Sequence, residues 1–306
     1  MDRGAVKLRL TLCTPLLLIA TRPCFAEPAM VPDLTARGGQ IEAQAHFGVA
    51  TAPFDVTTLH QAKGQAFALL GTVRYALSEP LWLELRAPIV LGSVAQPAGS
   101  YVDASALGNP ELRARYRFIA PNSGGAALAL FGAAEIGLPL ASHDRDLMPN
   151  RVLAIADGIE GRGHPEWFTP GVAPITASTA LRWTPAAWSL EAELRLPLLV
   201  RLSDANLPSP GASTNPVGVA SIARVEARYR LSQRLSLASG AQLFFDLVPA
   251  VKHVRPLSRV QDFERLSLYI HFSPSAALVV DMQTAIAGEL AGSTVAGGLR
   301  ATVNLQ

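Results

Sequence analysis

Apolar and polar side chains alternate with a period of two through most of this 306-residue chain. In ELRARYRF, residues 111–118, Glu111, Arg113, Arg115 and Arg117 share one parity, while Leu112, Ala114, Tyr116 and Phe118 share the other. VEARYRL, residues 225–231, repeats the pattern. Successive side chains of an extended chain point to opposite faces, so each segment is a strand with one apolar face and one arginine-rich face. Two architectures satisfy this. A soluble sandwich buries the apolar face, whereas a transmembrane barrel turns it to lipid and encloses the charges.

Segments of this kind, bounded by Gly, Pro, Asn and Ser, lie near 41–50, 65–77, 81–91, 107–118, 126–140, 174–183, 188–200, 219–231, 235–246, 263–272, 277–287 and 294–305. They number about twelve, each of roughly the 10 residues that a tilted membrane strand needs. The connections alternate in length. Stretches 51–64, 92–106, 141–173, 201–218 and 247–262 are long, with 288–293 shorter, whereas 78–80, 119–125, 184–187, 232–234 and 273–276 are short. An even-stranded barrel with both termini in the periplasm has long outer loops and tight inner turns, a parity that a sandwich has no reason to keep.

Aromatic residues point the same way. Tyr75, Tyr116, Phe118, Trp183, Tyr229 and Phe272 lie on the apolar parity at or near the ends of down-going strands, and Trp188 opens the next up-going strand at the same level. Amphipathic rings prefer the membrane interface, so these seven residues form a predicted periplasmic girdle. Pro88, Pro139 and Pro197 sit near the outer ends of up-going segments, where a missing ladder donor is tolerable.

Hydrophobic residues make up 49% of the chain and mean hydropathy is +0.26, yet after residue 26 no apolar run approaches the ~18 residues of a membrane helix. Only Lys7, Lys63 and Lys252 are lysine. A packed polar interior favours the planar, multi-donor guanidinium over the ammonium. The predicted fold is therefore all-β, an antiparallel transmembrane barrel of about twelve strands, preceded by an N-terminal signal peptide.

The start MDRGAVKLRLTLCTPLLLIATRPCFAEP has a basic opening (Arg3, Lys7, Arg9), a short apolar stretch and a small residue, Ala26, at a cleavage position. The expected divisions are a signal peptide at 1–26, a short periplasmic segment at 27–40 and the barrel at 41–306. Cys13 and Cys24 both fall in the removed part, which excludes a disulfide scaffold, a thiolate metal site and a cysteine nucleophile from the mature chain. Four basic residues and one acid also leave, so 26 basic and 24 acidic residues become 22 and 23, a formal charge of −1. The sequence pI of 8.7 is thus largely a property of the leader, and no basic field for nucleic acid remains.

The stretches VRYALSEPLWLELRAPIV (73–90), GNPELRARYRF (108–118) and LALFGAAEIGLPLASHD (128–144) resemble the MetA-type outer-membrane proteins linked to phenol degradation. Those proteins pair a Tyr-containing strand with a tight turn and a strand closing on proline. This chain has Leu140-Ala141 where the family usually carries a Gly soon after the proline. The resemblance implies a barrel of about twelve strands passing hydrophobic or aromatic compounds across the outer membrane.

The predicted lumen-lining residues are Glu84, Arg86, Glu111, Arg113, Arg115, Arg117, Glu191, Glu193, Arg195, Arg224, Glu226, Arg228 and Arg230. Both signs are present, so charge-assisted pairs can form between strands. This parity can be a structural network, or a channel wall with some anion preference from Arg113, Arg115, Arg117, Arg228 and Arg230. The rival enzymatic class, a membrane lipid hydrolase, needs a His–Ser pair. No G-x-S-x-G occurs, and Ser267 and His271 are four residues apart on one strand, about 13 Å. No catalytic residue is assigned. His143–Asp146 and His164-Pro165-Glu166 in the longest loop lack the fixed ligand spacing of a metal site, so no metal or other cofactor is expected. Ile155, Ile159, Trp167 and Phe168 give that loop enough apolar content to fold into the barrel mouth.

The sequence therefore predicts an outer-membrane channel for small hydrophobic or aromatic solutes. The alternative is a narrow plugged barrel with a structural or surface-interaction role. Expected partners are outer-membrane lipid and lipopolysaccharide, the barrel-assembly machinery and the solute. The ending Thr302–Gln306 lacks the terminal aromatic residue that the assembly machinery reads in many barrels, which predicts weaker recognition.

Overall fold

The computed structural model describes residues 39–52, 62–95, 99–120, 127–141, 147–160, 163–185, 187–202, 215–249, 260–273, 275–288, 290–291 and 294–305. The predicted signal peptide, most of the predicted 27–40 segment and His143–Asp146 lie outside the described residues. The strands are β1 (Gly39–Ala52), β2 (Ala62–Ala76), β3 (Leu81–Ala95), β4 (Tyr101–Leu107), β5 (Glu111–Ile119) and β6 (Ala127–Gly137). After two helices, α1 (Leu147–Ile159) and α2 (Pro165–Phe168), follow β7 (Val172–Thr184), β8 (Trp188–Arg201), β9 (Val217–Arg230) and β10 (Leu235–Val248). The last three are β11 (Val260–Ser273), β12 (Ala276–Ala287) and β13 (Val295–Leu305).

Every pairing is antiparallel, and β13 pairs back to β1 (Ile41↔Val303, Phe47↔Gly297) while β2 pairs with β3, so the sheet closes. Closure removes the edges that an open sheet would present, except that among the described residues β4 pairs on one side only. Thirteen strands build twelve staves, because β4 and β5 both lie against β3 and form one stave in two pieces. β1 begins at Gly39, so the last two residues of the predicted 27–40 segment belong to the wall.

The predicted long connection 92–106 is corrected. It holds the end of β3 and all of β4, paired through Ile89↔Leu107 to Ala95↔Tyr101. The sequence hid this because YVDASAL does not alternate cleanly. The stave breaks at Gly108-Asn109-Pro110, opposite Pro88, and neither proline has an N–H for the ladder. The Gly108 N–H still donates to Pro88 O at 3.0 Å. A Cβ on Gly108 would meet Trp167 O at 2.5 Å and Pro88 Cγ at 2.7 Å, so the close approach needs glycine.

The outer surface is an apolar belt. Val73, Leu85, Leu112, Ile136, Leu196, Val225, Leu266 and Leu299 are all about half exposed on it, alternating with buried polar neighbours. Tight turns join the staves at one end: Leu77 and Ser78 N–H donate to Leu81 O at 3.0 and 3.2 Å, and Leu231 N–H donates to Leu235 O at 2.9 Å.

The long connection between β6 and β7 enters the barrel. Val152, Ile155, Ala156 and Ile159 form one stripe of α1, spaced three and four residues apart and fully buried. They pack on Ala66, Ala68 and Leu70 of β2, Val90 and Val94 of β3, Ala106 of β4 and Ala296 of β13. Small side chains on β2 leave room for the helix between walls. At the same level the wall is thin. β6 stops at Gly137, and among the described residues no strand stands between β4 and the upper end of β7, Val172–Pro174.

Candidate functional site

The enclosed face of the barrel is a network of opposite charges. Arg74 lies 3.3 Å from Glu42 and 3.6 Å from Glu84, and Arg86 lies 2.9 Å from Glu84 and 3.6 Å from Glu135. Arg113 reaches Glu135 and Glu193, each at 3.2 Å. Arg115 lies 3.6 Å from Glu84, Arg117 3.0 Å from Glu79, Arg182 3.0 Å from Glu191 and Arg228 2.8 Å from Glu226. Tyr269 adds a hydroxyl bond to Glu226 at 2.8 Å, with the Arg228 guanidinium 3.8 Å from its ring centre. Ions withdrawn from water are retained only with such partners.

Of the thirteen residues singled out in the sequence, Glu84, Glu111, Arg113, Arg115, Glu191, Arg195, Glu226 and Arg228 are buried within this network. Arg86 and Arg117 are buried too, and Glu193, Arg224 and Arg230 are half-buried on the same parity. Four of the arginines considered for anion preference, Arg113, Arg115, Arg117 and Arg228, each have a carboxylate partner. Tyr75, Tyr116, Phe118, Trp183, Trp188 and Phe272 are exposed on the outer face and Tyr229 is half-buried, all towards the tight-turn end. Two pairs touch: Tyr116 with Phe118, 5.1 Å between centroids, and Trp188 with Tyr229, 4.7 Å. Ser267 and His271 are buried on the enclosed side, away from the belt.

The plug is fastened by polar contacts. His46 Nδ1 of β1 meets Glu160 Oε1 at 2.7 Å, just past α1, and Gln283 of β12 donates to the carbonyl of Ile159. Asn109, in the break of the β4–β5 stave, makes three bonds. It accepts the Ala141 N–H at 2.8 Å and donates to Glu166 O at 2.8 Å and Thr169 O at 3.0 Å. Trp167 Nε1 donates to Glu111 Oε2 at 2.5 Å, and its ring stacks on His164 with centroids 3.6 Å apart.

Arg195 of β8 holds the centre of this segment. It donates to Gly163 O at 2.5 Å and His164 Nδ1 at 2.7 Å, and pairs with Glu135 at 3.1 Å and with Glu166. A guanidinium only donates, so Nδ1 of His164 accepts in the contact with Arg195; the same nitrogen lies 3.1 Å from Glu166 Oε1. Burial, and then the Arg195 charge, depress the His164 pKa well below that of a free imidazole. Burial likewise raises the Glu166 pKa, Arg195 opposing this and Glu135 adding to it.

Carboxylate oxygens of Glu111, Glu135 and Glu166 converge within 4.8 Å of one another. Guanidiniums already serve this group: Arg195 reaches Glu135 and Glu166, and Arg86 and Arg113 reach Glu135. A metal ion would therefore face three fixed positive charges. Sequence reasoning found Glu111 by parity but had no register to bring β5, β6 and the plug together.

No protein-family model matches the chain, and no curated protein matches it. Solved structures do. An outer-membrane channel from Pseudomonas putida F1, described as COG4313, aligns over 94% of this chain and 100% of its own at 15% identity, with a TM-score of 0.62. The likeness is one of fold. The NanC porin aligns over 87% of this chain and 99% of its own at 6% identity and a TM-score of 0.49. The CymD monoaromatic hydrocarbon channel aligns over 89% and 90% at 8% identity and a TM-score of 0.42.

Proposed function

We propose that this barrel resides in the outer membrane and admits small hydrophobic or aromatic solutes passively. The observation that carries this reading is the thinning of the wall between β4 and β7, directly beside an internal plug. Its margins are apolar: Val102, Leu107, Leu138, Leu140 and Ile175 are all exposed there. A solute dissolved among acyl chains meets this margin without crossing the charged interior, and then reaches the apolar packing of α1. Polar solutes on the barrel axis meet the plug and the paired charges. The resemblance of residues 73–90, 108–118 and 128–144 to MetA-type proteins supports the same solute class.

The test is accumulation of a fluorescent naphthylamine by intact Gram-negative cells making the full chain. Expression should speed its appearance inside the cell several-fold, and replacing Leu107 and Leu140 by Asp should abolish the gain. An unchanged rate in the presence of correctly inserted barrel would overturn the reading.

The multiple fastenings of the plug favour a second reading, a closed barrel with a structural role. Deleting residues 150–168 distinguishes the two. A continuous path behind the plug raises single-channel conductance in planar bilayers, and a solidly packed interior leaves it unchanged.

A further inference from the structure

Beneath the plug lies a polar cavity of about 60 Å³. That is room for about four waters. Gly163, His164 and Trp167 form part of its roof, and six arginines line it: Arg74, Arg86, Arg113, Arg224, Arg265 and Arg300. The first three are paired, as described above. So are the lining carboxylates: Glu42 is held by Arg74, Glu160 by His46 and Glu193 by Arg113.

Arg224, Arg265 and Arg300 are left over. Among the described residues none of them has a carboxylate within ion-pair distance. Arg265 donates to Gln283 Oε1 at 2.7 Å, and Arg300 approaches the Tyr269 hydroxyl at 3.5 Å. Among the described residues Arg224 has no hydrogen-bond partner, and it meets Arg265 and Arg300 as like charges, with Glu193 and Glu226 as the opposing ones. The carboxylates around this trio are each in contact with another partner: Glu42 with Arg74, Glu193 with Arg113, Glu226 with Arg228 and Tyr269, and Asp281 with His46, 3.7 Å away. Three guanidiniums from β9, β11 and β13 thus face one enclosed space without a carboxylate in direct contact, although Glu193 and Glu226 act on Arg224, and Glu42, Glu226 and Asp281 on Arg300, through space. Their fork of N–H donors matches an oxyanion in shape as well as sign.

We propose that this cavity is a binding site for the carboxylate head group of a small organic acid. The role in transport rests on the uptake reading above; binding itself does not. With the plug docked only the head group fits, so a whole aryl acid lifts the roof, and Trp167 moves to a more polar setting as the ligand enters.

The experiment uses the full chain in detergent micelles, titrated by calorimetry with benzoate, benzyl alcohol and benzylammonium. Benzoate should bind at least tenfold more tightly than either analogue. R224Q/R265Q/R300Q should lose that preference while keeping the affinity for benzyl alcohol. Heat-modifiable gel migration checks that the triple variant folds, and R265Q alone, which should lose part of the preference, serves if it does not. A W82F/W183F/W188F background leaves Trp167 as the reporter, and its emission should shift to the red with benzoate. Equal binding of benzoate and benzyl alcohol would overturn the proposal, as would an unchanged preference in the Arg→Gln variants or displacement of benzoate by equimolar chloride. If benzoate binds as expected but cells show no faster solute uptake, the site stands and the transport reading fails.

Discussion

The Ala141 N–H donates to Asn109 Oδ1 at 2.8 Å, at the height where β6 has ended and the β4–β5 stave is broken. The same amide donates onward to Glu166 O and Thr169 O, so one side chain clasps the chain where it leaves the wall and where the plug returns to it. Asn109 is fully buried, and truncating it leaves an N–H and two carbonyls without partners. Asn109→Ala should therefore weaken plug docking by about 1–3 kcal/mol for the worst orphan alone. Limited proteolysis of the 142–171 connection in membrane-inserted protein reads this directly. Cleavage should become faster, and protection equal to the parent's would count against the clasp.

Arg195 and Glu166 give a sharper expectation, because removing one partner of a buried pair differs from removing both. Arg195→Met leaves Glu135 and Glu166 facing each other, with a cost of about 3–5 kcal/mol. Glu166→Gln removes a charge while keeping the shape, and should cost less. Combining R195M with E166L should recover part of the loss. Denaturant titration of R195M, E166L and the double variant, followed by the heat-modifiable gel shift, gives the coupling energy, and strict additivity would show that the pair does not act as a unit.

The wall was largely legible from the sequence and its interior only partly so. Alternation depends on local backbone geometry, so ELRARYRF and VEARYRL show their faces without knowledge of their neighbours. The outward facing of Trp183, Trp188 and Tyr229 could be read for the same reason, from parity along a strand. YVDASAL could not, because a strand with one unpaired edge beside a helix is not divided between lipid and lumen, and its side chains follow no simple alternation. The plug was legible as an apolar content, Ile155 to Phe168, but not as a dock. Its fastenings join residues far apart in sequence, His46 to Glu160 and Asn109 to Ala141, and depend on register. The unpaired trio Arg224, Arg265 and Arg300 was hidden for a related cause: which arginine lacks a carboxylate is a property of pairing across strands.

His164 makes plug docking sensitive to acid. Docked, its ring is neutral and its pKa lies well below 6.5; released, it regains the ordinary value. The docked state then binds fewer protons, so its stabilisation is complete above pH 6.5 and is lost as pH falls below it. The loss is about 1.4 kcal/mol per pH unit until the docked ring protonates. Glu166 acts in the opposite sense, since a raised pKa in the docked state favours docking as pH falls towards 4.5. Single-channel recordings should show open probability rising at pH 5.5 relative to 7.5 in the parent. H164Q should lose that rise and show the opposing slope. Identical pH profiles in the two proteins would remove His164 from the mechanism.

Trp188 and Tyr229 face each other across β8 and β9 with rings 4.7 Å apart and tilted by 50°. Both lie on the outer face near the tight-turn end, where a ring can bury its body among acyl chains and keep its polar edge among head groups. Leu190, two residues along β8 and exposed on the same face, lies deeper in the belt and has no such edge. Trp188→Leu should keep most of the apolar area but lose the interfacial preference and the ring contact, costing about 1 kcal/mol. Trp188→Ala loses the area as well and should cost more. Reversible folding into bilayers under a urea gradient measures both, with Leu190→Ala as the reference for area alone. If Trp188→Leu proves as stable as the parent, the ring marks only apolar surface. The tight-turn end would then have no interfacial anchor at this position, and the depth of the barrel would have to be set by the belt alone.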